Sequence, residues 1–265
     1  MTIPSTNLPL NKPSRLRLAF STAADLPRIQ ALMAPEVKDV IDPDRHVAQR
    51  LLSSFNDAVV TGRAAMLLDD VNAVRALTMA FPCRAIKEGV KGDDFLNFGT
   101  SLSQVPGYKL SAIVISALAL SEWLQRPPQG EIFAGIVPDN TASLKVYKDL
   151  LKWQECRDSE KIKLILPPAW SILPDASDPT GATPRVMGMP EDLADVGWFL
   201  CEKETLITQA QYLLQIMEKG GSLNTKNAMD KIEIDLDVLQ TAGLTKLRLK
   251  AIASGMISRQ SVLAM

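Results

Sequence analysis

One apolar stretch constrains the fold more than any other part of this sequence. From Leu110 to Leu120 the chain reads LSAIVISALAL, eleven residues of which only two serines are polar. A helix that is apolar on every side must be covered on every side, and a membrane span would need about 20 such residues. The stretch therefore predicts a helix buried in the centre of a globular domain, with no membrane partner.

The composition narrows the classes of function. The chain has 265 residues, and its 29 Lys and Arg against 30 Asp and Glu give a net charge of −1, whereas dependence on nucleic-acid phosphates favours a basic excess. A single histidine, His46, excludes a multi-histidine metal site, so no metal is expected. Three widely spaced cysteines suggest no disulfide framework, and no targeting signal is readable, so we expect a cytoplasmic protein.

Apolar periodicity predicts an α/β domain over residues 15–166 in the order β-α-α-β-β-β-α-β-α-β. Alternating or continuous apolar residues predict the strands, and helical spacing after capping signals predicts the helices. The predicted strands cover 15–20, 64–68, 73–81, 95–105, 131–137 and 161–166. The predicted helices cover a segment around Leu26–Met33 and then about 43–55, 108–125 and 140–151.

The remaining segments are predicted to be an N-terminal arm, a linker and a helical extension. Residues 1–14 carry three prolines and read as flexible, residues 167–188 are rich in proline, and residues 189–265 predict helices at about 191–218 and 225–254. The last helices could bind a protein partner or a second copy of the chain. These helices also contain a weak helix-turn-helix pattern with the basic residues Lys246, Arg248, Lys250 and Arg259. Nucleic acid is nevertheless not expected as a partner.

Two neighbouring segments carry the candidate chemistry. In GTSLSQVPGYKLSAIV a strand meets a short Gly/Pro turn and then the central helix, so unpaired N–H groups and the helix dipole can bind an anion. In IVPDNTASLKVYKDLLKW a strand ends in a turn, and the following helix places Ser143 and Tyr147 one turn apart. Both segments put polar groups at strand ends.

Here the sequence resembles the GCN5-related N-acetyltransferase superfamily. That family binds the acyl-CoA pyrophosphate on a Q/R-x-x-G-x-G/A turn, which this chain matches at Gln104 and Gly107 with Lys109 in the last position. Lys109 either adds a charged contact or crowds the diphosphate. A second family pattern, an Asn after a strand and then a helix with a small residue and a Tyr, is matched at Asn140, Ala142, Ser143 and Tyr147. The resemblance implies that acyl-CoA is bound by Gln104, Val105, Gly107, Tyr108, Lys109, Leu110, Asn140 and Ser143.

The resemblance also implies a fold and a reaction. The fold is a mixed, largely antiparallel sheet flanked by helices, and the reaction is transfer of an acyl group, most simply acetyl, from CoA to an amine acceptor. Tyr147 is expected to protonate the leaving thiolate, and an N–H near Gly99–Leu102 to polarise the thioester carbonyl. Transfer is expected to be direct within a ternary complex, because no nucleophile for a covalent enzyme intermediate stands out.

The identity of the general base stays open. The segment Phe95–Gln104 has no carboxylate, which leaves Asp93, Asp94, Glu88, His46 or ordered water. Two alternatives to an enzyme also stay open. One is a catalytically inactive domain of the same fold that binds partners through its C-terminal helices, and the other is a nucleic-acid-associated protein that uses residues 239–262.

Overall fold

The computed structural model describes ten segments of the chain: residues 13–33, 52–87, 90–105, 109–126, 131–136, 138–156, 173–174, 184–185, 197–224 and 231–265. The predicted N-terminal arm (apart from residues 13 and 14), the strand at 161–166 and most of the linker at 167–188 lie outside these residues. So does most of the helix predicted at 43–55.

The described chain forms the following strands and helices. The strands are β1 (Arg15–Phe20), β2 (Ala64–Leu68), β3 (Val74–Lys87), β4 (Val90–Ser103), β5 (Ile132–Ile136), β6 (Gln154–Glu155), β7 (Leu173–Pro174), β8 (Pro184–Arg185), β9 (Gly197–Leu200), β10 (Ser222–Asn224) and β11 (Lys231–Asp235). The helices are α1 (Leu26–Leu32, after a 3-10 turn at Ala23–Asp25), α2 (Leu52–Val60), α3 (Leu110–Gln125), α4 (Thr141–Leu144, continued as a π-helix over Lys145–Leu150), α5 (Lys203–Glu218), α6 (Val238–Thr241), α7 (Lys246–Ala253) and α8 (Arg259–Leu263).

The main sheet is mixed and largely antiparallel, which confirms the predicted fold class. Its strand order is β10-β11-β1-β2-β3-β4-β5-β9-β6, and β7 pairs separately with β8. Only β1 with β11 and β4 with β5 run parallel, and the other neighbours in the main sheet are antiparallel. The parallel pair β4–β5 is connected by the buried helix α3, as a parallel pair requires.

The C-terminal region corrects the helix predictions in two places. The helix predicted at about 191–218 begins only at Lys203, because the apolar, aromatic stretch GWFL forms β9 and pairs with β5. The helix predicted at about 225–254 is replaced at Lys231–Asp235 by β11, whose alternating exposed and buried residues pair with β1. Residues after 197 therefore supply both helices and strands of the main sheet.

Each face of the sheet has its own apolar core. Strand β2 shows the division, since Ala65 and Leu67 join one core while Ala64, Met66 and Leu68 join the other. The first core lies under α3 and α5, which we call the α3 face. The second lies under α1 and α2, which we call the α1 face, and includes Ile29, Phe55, Met79 and Phe81.

Helix α3 occupies the position that its composition predicts. Thirteen of its sixteen residues are buried, so sheet and neighbouring helices cover nearly its whole surface. Among the described residues, none of the helices has the length and apolarity that a membrane crossing would demand. Burial of α3 fixes the position of its first turn relative to β4, where the candidate site begins.

Candidate functional site at the end of strand β4

Strands β4 and β5 part near their middle. The ladder between them joins only Leu96 to Ile132 and Asn97 to Phe133. Further along, β4 pairs with β3 and β5 pairs with β9. Gly99 is an extra residue on β4, because Phe98 lies opposite Ala80 and Thr100 lies opposite Met79. A bulge thus stands where the two strands separate, within the segment predicted to polarise a carbonyl.

The turn after β4 is anchored to the start of β3. The Gln104 backbone N–H donates to the Arg75 carbonyl at 2.8 Å, and the Arg75 guanidinium donates to Gln104 Oε1 at 3.4 Å. Arg75 is itself nearly buried and paired with Asp69 at 2.7 Å. Val105 is half-buried and packs against the core of the α3 face. Gly107 and Tyr108 lie outside the described residues, so their predicted cofactor role stays a prediction.

Helix α3 begins directly after this turn with an unusual residue. Lys109 is exposed and has φ 56° and ψ 34°, the left-handed conformation that glycine adopts most easily. The Leu110 side chain is fully buried in the core, so only its backbone N–H remains for an anion at the helix N-terminus.

Tyr147 ends a chain of three hydroxyl groups. Its Oη lies 3.0 Å from Ser101 Oγ, and Ser101 Oγ lies 2.8 Å from Thr78 Oγ1. The Tyr147 ring is buried and packs edge-on against Trp153, which in turn packs against Phe98. Burial raises the pKa of Tyr147 to about 12, so the phenol keeps its proton and can donate but cannot act as a base.

The π-helical turn and the residues that follow it hold Tyr147 and Trp153 in place. The backbone N–H of Trp153 donates to the Tyr147 carbonyl at 2.9 Å, and Lys152 between α4 and Trp153 has φ 58°. The family that the sequence resembles often has Gly-Phe at positions 152 and 153. In this chain the two positions hold a lysine in the left-handed conformation and a tryptophan.

Asn140 acts as the N-cap of α4. Its Oδ1 accepts the Ser143 backbone N–H at 3.0 Å, which is the ordinary role of Asn before a helix. Both residues are only partly buried. The single side-chain oxygen of Asn140 accepts in the cap and its amide nitrogen remains a donor, and the predicted contact of both residues with the cofactor stays a prediction.

The candidate bases fall largely outside the described residues. His46 and Glu88 are not described, and Asp93 and Asp94 are described only as backbone of β4. Among described thiols, Cys156 is buried and burial raises the pKa of Cys201 far above its usual range. A protonated Cys201 is a poor nucleophile, and the expectation of direct transfer stays a prediction.

Sequence reasoning missed Ser101, Thr78 and Arg75. Thr78 and Arg75 are polar residues inside the apolar strand VRALTMAF, and that interruption was the available signal. Their partners, however, lie 23 to 29 positions away in sequence and are identified only by the β3–β4 register.

The basic residues of the C-terminal helices largely serve the fold. Arg248 donates to the carbonyls of Gly243 and Leu263, and Arg259 donates to those of Leu124 and Gln125 at the end of α3. Such contacts cap helix C-termini. Two of the four basic residues of the predicted helix-turn-helix segment, Arg248 and Arg259, are thus hydrogen-bonded to backbone carbonyls.

Comparisons with known proteins return solved structures only, because no protein-family model and no curated protein matches the chain. The structure is similar to Arabidopsis thaliana NAA60 in complex with acetyl-CoA (TM-score 0.39, 11% identity, 54% of this chain and 88% of that one). It is also similar to diaminobutyrate acetyltransferase EctA from Paenibacillus lautus, bound to L-2,4-diaminobutyric acid and coenzyme A (TM-score 0.38, 11% identity, 70% and 93%). A GCN5-related N-acetyltransferase from Kribbella flavida also matches (TM-score 0.35, 13% identity, 53% and 33%).

Proposed function

We propose that this chain is an acyl-CoA-dependent N-acyltransferase that moves an acyl group, most simply acetyl, directly from CoA to an amine. The observation that carries the proposal is the buried Tyr147 hydroxyl, held by Ser101 on the α3 face beside the parted strands. Ser101 precedes Gln104 by three residues, about 10 Å along the strand. One extended molecule can therefore reach both the hydroxyl and the turn before α3.

The turn before α3 offers the donors for a diphosphate. The first N–H groups of α3 lack partners within the helix, and its dipole adds positive potential. Lys109, exposed at the same point, can add a charge-assisted hydrogen bond. Within the proposal, Gln104 keeps the turn in register with β3 through Arg75, and Asn140 and Ser143 hold the arm of the cofactor between β4 and β5.

Tyr147 acts in this mechanism on the leaving sulfur. Burial raises the pKa of Tyr147 to about 12, so the phenol is protonated at neutral pH and has a hydrogen to share with the sulfur. Tyr147 therefore stabilises the developing thiolate by donating a hydrogen bond, and Ser101 donates in turn to the phenol oxygen. The acid role expected from the sequence is thereby refined. The Tyr147 hydroxyl polarises the sulfur, and the proton that completes the CoA thiol comes from the amine.

The bonds balance without a covalent enzyme intermediate. The amine nitrogen forms a bond to the acyl carbon, the carbon–sulfur bond breaks, and the surplus amine proton leaves to water or to the thiolate. Backbone N–H groups around the Gly99 bulge polarise the carbonyl during attack. Residues Asp93, Asp94, Glu88 and His46 remain the candidates for relaying the amine proton.

Calorimetric titration of the protein with acetyl-CoA tests the proposal. We expect micromolar binding that is lost in Gly107→Glu, because a carboxylate in the turn repels the diphosphate. Gly220→Glu, the same substitution in the turn after α5, where an added Cβ meets no described atom within 4 Å, serves as the matched control and should leave binding unchanged. Absence of binding by the wild-type protein to both acetyl-CoA and CoA would overturn the proposal in favour of the inactive, partner-binding alternative.

A further inference from the structure

Strand β4 carries two buried polar side chains that the reaction above does not use. Asn97 and Thr100 are each 1% exposed. Within the described part of the chain, both amide atoms of Asn97 and the hydroxyl of Thr100 have no hydrogen-bond partner. Burying such groups costs free energy, and they are uncommon in folded proteins unless a ligand or water satisfies them.

The two side chains point to the same face of the sheet. Asn97 lies opposite Phe81 and Thr100 lies opposite Met79, and both of these partners belong to the core of the α1 face. The Gly99 bulge makes this possible, because without the extra residue positions 97 and 100 would point to opposite faces. The bulge thus brings an amide and a hydroxyl together on one side of β4.

Their position complements that of Tyr147. Ser101 and Tyr147 occupy the α3 face, whereas Asn97 and Thr100 occupy the α1 face. Asn97 is also the last residue of β4 that pairs with β5. A thioester at the parting of the strands, with its sulfur at Tyr147 on one face, would leave the other face, where Asn97 and Thr100 lie, for an approaching nucleophile.

We propose that Asn97 and Thr100 bind the acceptor amine, and that the acceptor is a primary amine next to a neutral carbonyl, as in an amino-acid amide or a peptide N-terminus. This assignment rests on the proposed function. Asn97 Oδ1 accepts an amine N–H, Asn97 Nδ2 donates to the neighbouring carbonyl oxygen, and Thr100 Oγ1 orients the second amine hydrogen.

The surroundings favour a neutral carbonyl over a carboxylate. The residues paired with Asn97 across the sheet, Phe81 on β3 and Phe133 on β5, are apolar, so neither supplies a counter-charge to a carboxylate beside Asn97. An amide side chain can satisfy a carbonyl but cannot neutralise a charge. Ethylamine, which has no oxygen, would leave Asn97 Nδ2 without a partner.

Three probes of similar size separate these cases: glycinamide, glycine and ethylamine, each with acetyl-CoA and thiol release as the readout. We expect the wild-type protein to prefer glycinamide by at least about tenfold in kcat/KM. Asn97→Leu should lower glycinamide turnover about tenfold and ethylamine turnover by a clearly smaller factor, because ethylamine loses only the contact to the amine whereas glycinamide also loses the contact to its carbonyl. Acetyl-CoA affinity should stay within about twofold. Asn56→Leu, on α2, is the matched control and should change none of these.

Stability separates a binding role from a structural one. Because the amide of Asn97 has no partner in the described chain, Asn97→Leu should keep or raise the midpoint of urea unfolding, whereas loss of a structural hydrogen bond would lower it. Thr100→Val is the second variant should Asn97→Leu fail to fold.

The assignment is overturned by equal glycinamide rates in wild type and Asn97→Leu, by equal use of the three probes, or by turnover of none of them. Acetyl-CoA binding measured alongside distinguishes these outcomes from failure of the proposed function, which would abolish binding in the wild type as well.

Discussion

The two ends of the candidate site are built in different ways. At the turn before α3 the useful groups are backbone N–H donors and an exposed lysine, and the geometry is set by local sequence. At Tyr147 the useful group is one buried hydroxyl, held by side chains from β3, β4 and α4. The proposed anion-binding turn thus depends on a few neighbouring residues, whereas the Tyr147 hydroxyl depends on the packing of elements that are distant in sequence.

The largest effect is expected at the buried end. Tyr147→Phe removes the hydrogen bond to the leaving thiolate, and we expect kcat to fall by about 100-fold with acetyl-CoA affinity nearly unchanged. Tyr212→Phe is the control, because burial raises the pKa of Tyr212 to about 12 as well but this residue lies on α5. Equal kcat values for the wild type and Tyr147→Phe, with thiol release as the readout, would contradict a role in chemistry.

A smaller effect is expected one step along the hydroxyl chain. Ser101→Ala leaves the Thr78 and Tyr147 hydroxyls without their partner, which should lower kcat about tenfold and the free energy of unfolding by about 1–3 kcal/mol. Adding Thr78→Val removes one orphaned hydroxyl, so the double variant should regain stability but not kcat. If urea denaturation and kcat recover together, Ser101 has only a structural role.

The raised pKa of Tyr147 predicts how stability depends on pH. Between pH 10 and about 12 the unfolded phenol ionises while the folded one keeps its proton, so the folded state loses stability as pH rises. One such group contributes a slope of about 1.4 kcal/mol per pH unit. Tyr147→Phe should therefore flatten this decline in urea unfolding measured from pH 9 to 11. An unchanged slope would mean that Tyr147 is solvated in the folded protein.

The smallest effects are expected from the two left-handed lysines. Lys109→Gly and Lys152→Gly should each raise the free energy of unfolding by about 1 kcal/mol, because glycine adopts positive φ without strain. Only Lys109→Gly should weaken acetyl-CoA binding, by about threefold, since Lys109 alone stands at the α3 turn. Equal acetyl-CoA affinities in both variants, by calorimetry, would remove Lys109 from the cofactor site.

Much of the central fold could be predicted from the sequence. The apolar run from Leu110 predicts α3, alternation in RLRLAF predicts β1, and the Asn140 cap marks the start of α4. These elements are specified by signals within a few residues. The turn at Gln104 is also specified by nearby residues, which is why the proposed anion-binding end of the site could be predicted from the sequence.

The elements that could not be predicted from the sequence depend on pairing between distant segments. β9 is a four-residue strand whose partner β5 lies some 60 positions earlier, and β11 pairs with β1 more than 200 positions away. Neither segment is long enough to be distinguished from a helix end by periodicity. The same holds for Ser101, whose partners are decided by the β3–β4 register and by the Gly99 bulge.

A crystal structure with acetyl-CoA or CoA would test most directly the claim that both ends form one site. The account predicts a single CoA molecule with its diphosphate on the first N–H groups of α3 and its sulfur within hydrogen-bond distance of Tyr147 Oη. An ordered CoA bound elsewhere on the protein, with Tyr147 still bonded only to Ser101, would contradict it.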